Sequence, residues 1–235
     1  MDRQILVRLN ALRRTRQAVV LVTDLAGGPE RLIVEGEAVD DPLAEAVASA
    51  FRSGKSSAVE VDGRGLFLNV HLPPPHIVVI GAVHISQVLA QMAGLAGFDI
   101  RIIDPRTAFA TPERFEGVDL VPEWPEEALK ERPLDAYTAL VALAHDPKID
   151  DFAITDALKV GCFYVGALGS RKTHASRLER LRREGLTEAD LARIHAPIGL
   201  SIGASTPAEI AVAILADIIG TLRGRDVSSP KGDKR

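Results

Sequence analysis

Apolar residues recur along this chain at two different rhythms, and a run of prolines separates them. Over residues 3–16, Ile5, Leu6, Leu9 and Leu12 stand at helical intervals with arginines on the other side, which predicts an amphipathic helix. Ala18-Val19-Val20-Leu21-Val22 has strand character, Gly27-Gly28-Pro29 is a turn, and residues 31–35 form a second strand, so the two make a hairpin. A helix follows over residues 42–51, with Leu43, Ala46, Val47 and Phe51 facing inward and Asp40 or Asp41 as its cap. Residues 58–61 and 66–70 flank Asp62-Gly63, a signal for a tight hairpin. Residues 1–72 therefore read as a small α+β domain. Pro73-Pro74-Pro75 is a stiff, extended linker.

After the prolines, short apolar runs alternate with helical spacing. Ile77-Val78-Val79-Ile80 ends at Gly81, and Ile85, Val88, Leu89, Met92 and Leu95 follow at helical intervals. The next strand, residues 98–103, ends in Asp104. Further apolar runs lie at 120–121, 139–143 and 162–165, with helices near 125–131, 149–160 and 171–184. A strongly apolar helix over 207–222 is core or an oligomer interface, and 226–235 is a polar, disordered tail. Continuous apolar strands alternating with helices imply a parallel sheet covered on both faces. The fold class is α/β: a Rossmann-like parallel-sheet domain over residues 76–225, preceded by the small α+β domain. Right-handed crossovers place all strand C-termini on one edge, where such folds bind ligands.

The turns on that edge carry the candidate chemistry. Gly81-Ala82-Val83-His84 occupies the place of a phosphate loop, where free amides at a helix start face an anion. Val83 replaces the second glycine of such a loop, crowding the approach and disfavouring positive φ. Asp104 lies about 20 residues on, as a ribose-binding acid would; the alternative is a plain turn and a solvated Asp. His84 either packs or meets the ligand. After the run at 139–143, His145, Asp146, Asp150 and Asp151 supply a histidine and three carboxylates, able to bind a metal or move a proton. The alternative is that Asp146 or Asp150 caps the next helix with Asp151 in its first turn; capping is the preferred reading for Asp150 and Asp151, and a site role for His145 and Asp146. The spacing matches no metal-ligand pattern.

Gly166-Ala167-Leu168-Gly169-Ser170-Arg171-Lys172 is a second Gly-rich turn entering a helix, with two cations at the helix start. Cations there oppose the helix dipole, and a bound anion removes the conflict. The basic residues beyond 175 read as a solvated helix face. In the third Gly-rich stretch, residues 197–209, Thr206 and Glu209 form a capping box around Pro207, which leaves Gly199 and Gly203 unexplained.

Composition narrows the function. The 235 residues carry a net charge of −4, which argues against a sequence-independent nucleic-acid binder. No apolar run approaches the roughly 20 residues that span a bilayer, and Met1-Asp2-Arg3-Gln4 lacks the order of a signal peptide. The single cysteine, Cys162, lies in an apolar run and reads as a buried, inert thiol. These features are those of a cytoplasmic protein.

Six stretches, in this order, resemble the XdhC/CoxI family: Ile80-Gly81-Ala82 with His84; Ile103-Asp104-Pro105-Arg106; Phe109 through Phe115; His145-Asp146 with Asp150-Asp151; Tyr164 through Lys172; and Pro197 through Ala211. The resemblance covers roughly residues 76–222. It implies a chaperone that binds molybdenum cofactor, free or nucleotide-linked, and protects it while its terminal sulfido ligand is installed. The cofactor then passes to an apo molybdenum hydroxylase such as xanthine dehydrogenase or carbon monoxide dehydrogenase. A cysteine desulfurase is a second implied partner, and a homodimer a third association. The implied cofactor-binding residues are Gly81, Ala82, His84, Asp104, Arg106, His145, Asp146, Gly166, Gly169, Ser170, Arg171, Lys172 and Gly203, with no catalytic residue and no metal site. The chain departs from the family at Val83, and residues 1–75 hold no cysteine. Two other readings stand beside the chaperone: an NAD(P)-dependent oxidoreductase, and a nucleotide-sensing module without chemistry.

Overall fold

A computed structural model of the chain describes residues 2–39 and 42–224. It divides into two compact units, one ending at Pro74 and the other beginning at Pro75. In the first, helix α1 (Arg3–Arg14) precedes the hairpin of β1 (Val19–Asp24) and β2 (Arg31–Val34), and α2 (Leu43–Ser53) precedes the hairpin of β3 (Ser57–Val61) and β4 (Arg64–His71). The four strands form an antiparallel sheet in the order β2-β1-β4-β3. Strand alternation sends Val19, Leu21 and Leu32 toward Leu9 of α1, and Val20, Val22, Ile33 and Leu68 toward Val47 and Ala50 of α2. Asp62 and Gly63 both take positive φ (51° and 73°), the turn that two-residue hairpins favour. The expected cap, Asp40 or Asp41, lies outside the described residues.

The second unit runs β5 (His76–Ile80), α3 (His84–Leu95), β6 (Asp99–Ile103), β7 (Asp119–Val121), α4 (Pro125–Glu131), β8 (Thr138–Ala142), α5 (Pro147–Val160), β9 (Tyr164–Ala167), α6 (Arg171–Arg183), α7 (Glu188–Leu191), β10 (Ile194–His195) and α8 (Pro207–Leu222). All six strands are parallel, in the order β10-β9-β8-β5-β6-β7, the Rossmann arrangement. Val78, Ile80, Leu140 and Ala142 face α5, while Ile77, Val79, Ala139 and Val141 face α3 and α8. Helix α8 buries Ala211, Ala213, Ile214, Leu215 and Ile218, so this core accounts for most of its apolar character. At its start, Thr206 Oγ1 accepts from Glu209 N and Glu209 Oε2 accepts from Thr206 N, the capping box read in the sequence. No helix among the described residues is long and apolar enough to cross a membrane.

Two elements differ from the sequence reading. Strand β9 begins at Tyr164 rather than 162, because the amides of Gly161 and Cys162 both return to Ala157 O and close α5. Cys162 is fully buried in that turn, where burial, with Asp135 and Asp156 adding to it, pushes its thiol up to about 12. Strand β10, only two residues long, went unread. Tyr164 Oη donates to Asp217 Oδ2 at 2.9 Å, and His195 Nδ1 lies 2.9 Å from the same oxygen, tying α8 to β9 and β10.

Gly199 and Gly203 provide a matched test of this packing. Both hold positive φ (84° and 77°), but a Cβ at Gly199 would stand 2.9 Å from the α8 backbone at Ala213 C and Ile214 N, whereas one at Gly203 meets nothing within 4 Å. Gly203→Ala is expected to cost about 1 kcal/mol from backbone conformation alone, and Gly199→Ala about 3 kcal/mol or more. Urea denaturation of the two variants measures the difference; equal losses would remove the close approach as a constraint.

Candidate functional site

The strand order reverses between β5 and β8, and the turns after these two strands touch. Gly81 has φ of +116°, and a Cβ there would lie 2.7 Å from Ala144 N. Only glycine allows the two backbones so close. The amide of Ala82 donates to Asp104 Oδ2 at 2.7 Å. Arg106 donates from N and Nε to Asp104 Oδ1 (both 2.9 Å) and from Nη2 to Oδ2 (2.7 Å). Burial alone would push the Asp104 carboxyl up, but the Arg106 guanidinium and the two amides outweigh it and hold it below the usual carboxylate range. With four N–H donors and no exposed surface, Asp104 has no capacity left for a ribose hydroxyl. It is a strut, neither a solvated acid nor a ribose ligand. Arg106 is about one-third exposed, and its guanidinium stands 4.7 Å over the Phe109 ring.

Val83 sits in extended backbone (φ −108°, ψ 176°) and packs against the α3 core, so a β-branched residue fits without strain. Its amide donates to Ser86 Oγ at 2.8 Å. The amides of Ala82 and Val83 are thus both taken within the protein, and those left for an outside anion begin at His84, which is exposed at the first turn of α3. Arg114 was not read as functional from the sequence. It donates to Ala82 O and Phe109 O and exchanges hydrogen bonds with Gln87, lashing the 105–115 loop to this turn.

At the end of β8, Asp146 caps α5 by accepting from Lys148 N. The reading that gave capping to Asp150 and Asp151 is corrected: Pro147 at the first helical position fixes the start of α5, so its cap is residue 146. Asp151 instead pairs with Arg180. Asp150 is buried, and its Oδ2 accepts from His145 N at 3.0 Å, holding His145 at a left-handed φ of 63°. Asp150 Oδ1 has no partner among the described residues. Burial pushes the Asp150 carboxyl up to about 7, against the opposing charge of Arg177.

The second Gly-rich turn meets this one. A Cβ at Gly169 (φ +147°) would stand 3.6 Å from His145 Cε1 and 3.1 Å from Thr173 Cγ2. Ser170 caps α6 by accepting from Thr173 N, and Arg171 and Lys172 are exposed in its first turn. The solvated face expected beyond residue 175 does not hold for Arg177, which is 2% exposed. Its Nη2 donates to Leu168 O at 3.0 Å, while Nε and Nη1 are buried with no partner among the described residues. The helical spacing of Arg177 and Leu181 puts both on the inner face, a signal present in the sequence. A cleft of about 250 Å³ opens here, lined by His145, Lys172, Thr173, Ser176, Arg177 and Arg180.

Gly81, Ala82, Asp104 and Arg106 therefore form one cluster, and His145, Gly169, Ser170 and Lys172 a second. Asp146 and Asp150 act electrostatically on Arg106 from the β8 side. Gly166 belongs to neither: it lies within β9, where a Cβ would stand 2.7 Å from Ile198 and Tyr164 side-chain atoms, so packing explains it. Gly203 sits in an exposed loop before α8. No group of three His, Cys, Asp or Glu suited to a metal ion occurs among the described residues.

These features define a Rossmann-type domain with arginines along its strand-end edge. A family model described as the XdhC Rossmann domain matches residues 77–218. The chain belongs to the XdhC family. It is 32% identical over 157 residues to a protein of Bacillus subtilis named as a probable subunit of xanthine dehydrogenase, covering 66% of this chain and 46% of that one. It is 27% identical over 146 residues to the molybdenum cofactor insertion chaperone PaoD of Escherichia coli, covering 62% and 40%. The chain thus matches less than half the length of either relative. A crystal structure titled as a xanthine dehydrogenase from Bacillus halodurans shares the fold, with a TM-score of 0.62 and 22% identity, over 97% of this chain and 67% of that one.

The raised Asp150 carboxyl predicts a pH effect. In the folded chain it stays protonated up to about pH 7, whereas unfolded it ionises near 3.8. The folded state therefore holds the extra proton between these values, and stability falls as pH rises through that window. Asp150→Asn, which cannot ionise, is expected to gain about 3 kcal/mol relative to the parent between pH 5 and pH 8. Urea denaturation at the two pH values checks this; a constant difference would mean that Asp150 is ionised throughout.

Proposed function

We propose that this chain is a maturation factor that binds molybdenum cofactor by its phosphate, shields it during sulfuration, and delivers it to an apo molybdenum hydroxylase of the xanthine dehydrogenase type. A cysteine desulfurase supplies the sulfur as the second partner. The observation that carries this reading is the second Gly-rich turn: Gly169 and Ser170 open α6 beside Lys172 and the buried Arg177, whose Nε and Nη1 lack partners among the described residues. A phosphate, alone or within a pyrophosphate, suits that set. Family membership and the relatives named for xanthine dehydrogenase and cofactor insertion support the same reading.

The residues fit the phosphate end of the cofactor and not its metal end. Cys162 is buried with its thiol held up near 12, and the described residues hold no metal-ligand cluster. The protein would grip the cofactor by its organic part and leave the metal to the chemistry of a partner. Gly81, Ala82 and His84 would line the crevice floor, with Arg106 and His145 beside it. A dinucleotide remains a second reading, because the strand order is that of dinucleotide folds. The fully occupied Asp104 argues against its ribose contact.

Mass spectrometry of small molecules released from protein purified without oxygen, from a host that makes the cofactor, tests the reading. Near-stoichiometric molybdopterin, free or nucleotide-linked, is expected; NAD(P) in its place would overturn it. Replacing both Arg171 and Lys172 by alanine should weaken cofactor affinity at least about tenfold while leaving the fold intact, since both are exposed cations at a helix start. Unchanged affinity would remove them from the site.

A further inference from the structure

Arg177 poses a problem that the fold alone does not solve. A buried guanidinium with two unpartnered nitrogens, Nε and Nη1, is costly. Other buried or half-buried charges on this edge have partners: Asp104 pairs with Arg106 and Asp151 with Arg180. The acids whose charge acts on Arg177 are Asp150 and Asp151, and Asp151 is already paired with Arg180; that leaves Asp150. Its Oδ1 makes no hydrogen bond among the described residues, and burial drives it toward the neutral acid. A neutral Asp150 leaves Arg177 without a full compensating charge.

The surroundings of Arg177 show what would supply one. Lys172 and Arg180 add positive charge to the cleft, Thr173 and Ser176 add hydroxyls, and the ring of His145 borders it. Among the described residues, no acidic side chain lines it. Its 250 Å³ equals the liquid volume of about eight waters, enough for a tetrahedral oxyanion and a few waters of its shell. The cleft runs along α6 from Lys172 and Thr173 in its first turn to Arg180, and side chains line it.

We propose that this cleft is an oxyanion site for a phosphate monoester head group, with Arg177 as its buried anchor and Lys172 and Ser176 at its mouth. The site stands on its own residues. Assigning its occupant to the phosphate of the molybdenum cofactor rests on the function proposed above. A free inorganic phosphate has the same chemistry, and the test separates the two.

Inorganic phosphate is titrated into the full chain at constant ionic strength and followed by calorimetry. Saturable binding is expected in the parent. Ser176→Asp puts a carboxylate in the mouth at an exposed position that the fold tolerates, and should weaken phosphate binding at least about tenfold. Arg177→Met should do the same, with circular dichroism reporting whether it folds. Arg182→Ala removes an exposed cation of α6 that pairs with Glu188 of α7, and should change affinity less than about twofold. Absence of saturation in the parent, or equal affinity in folded Ser176→Asp, overturns the site whatever the cofactor does. In a second arm, a pterin phosphate monoester competes with phosphate. Competition lost in Ser176→Asp supports the cofactor assignment. Phosphate binding without competition keeps the oxyanion site and overturns only that assignment.

Discussion

Asp104 accepts four N–H groups at a point that water does not reach, and the ligand edge is arranged around that demand. Through the Ala82 amide the carboxylate fixes the turn after β5. Through Arg106 it fixes the start of the following loop, which Arg114 fastens back onto the same turn. A carboxylate this deep is tolerable only when fully hydrogen-bonded. Removing either end would leave a buried charge without its partner. The turn it braces already touches the β8 backbone at Ala144, so the two loops that flank the crevice are placed by one charge and one missing Cβ.

The second acid–arginine pair on this edge is built differently. Asp150 and Arg177 are as buried as Asp104, yet they influence each other through charge without a direct hydrogen bond. Burial therefore governs both, raising the Asp150 carboxyl and lowering Arg177. A pair that satisfies itself makes structure. A pair that leaves donors and an acceptor open keeps a place for something else, and this one lies where His145 and Gly169 meet.

Much of this was legible in the residues, because it depends on local pattern. The apolar runs at 77–80 and 139–143, the capping box at Thr206 and Glu209, and the glycines that begin or end helices each follow from steric or hydrogen-bonding rules over a few positions. What was missed depends on distance along the chain. Asp104 read as a ribose-binding acid, with a solvated Asp as the alternative, because its partners include an amide 22 residues away. Asp150 and Asp151 looked like caps because Pro147 was not weighed as the helix start. Arg177 looked like part of a solvated face because the packing of α6 against α5 that buries it is not a local pattern. Strand β10 is two residues long and has no pattern to read.

The substitution at Val83 ties these points together. In a dinucleotide fold the second glycine lets the first turn embrace a pyrophosphate. Here that position is extended, its side chain joins the core, and its amide and that of Ala82 are already used by Ser86 and Asp104. Val83 fits this backbone without strain, and the two amides are occupied by Asp104 and Ser86 whatever the side chain at 83. In the second turn, by contrast, Ser170 starts α6 with its own cap, and the unpartnered donors belong to an arginine side chain. In the function proposed here, anion binding centres on the turn after β9 rather than on the turn after β5.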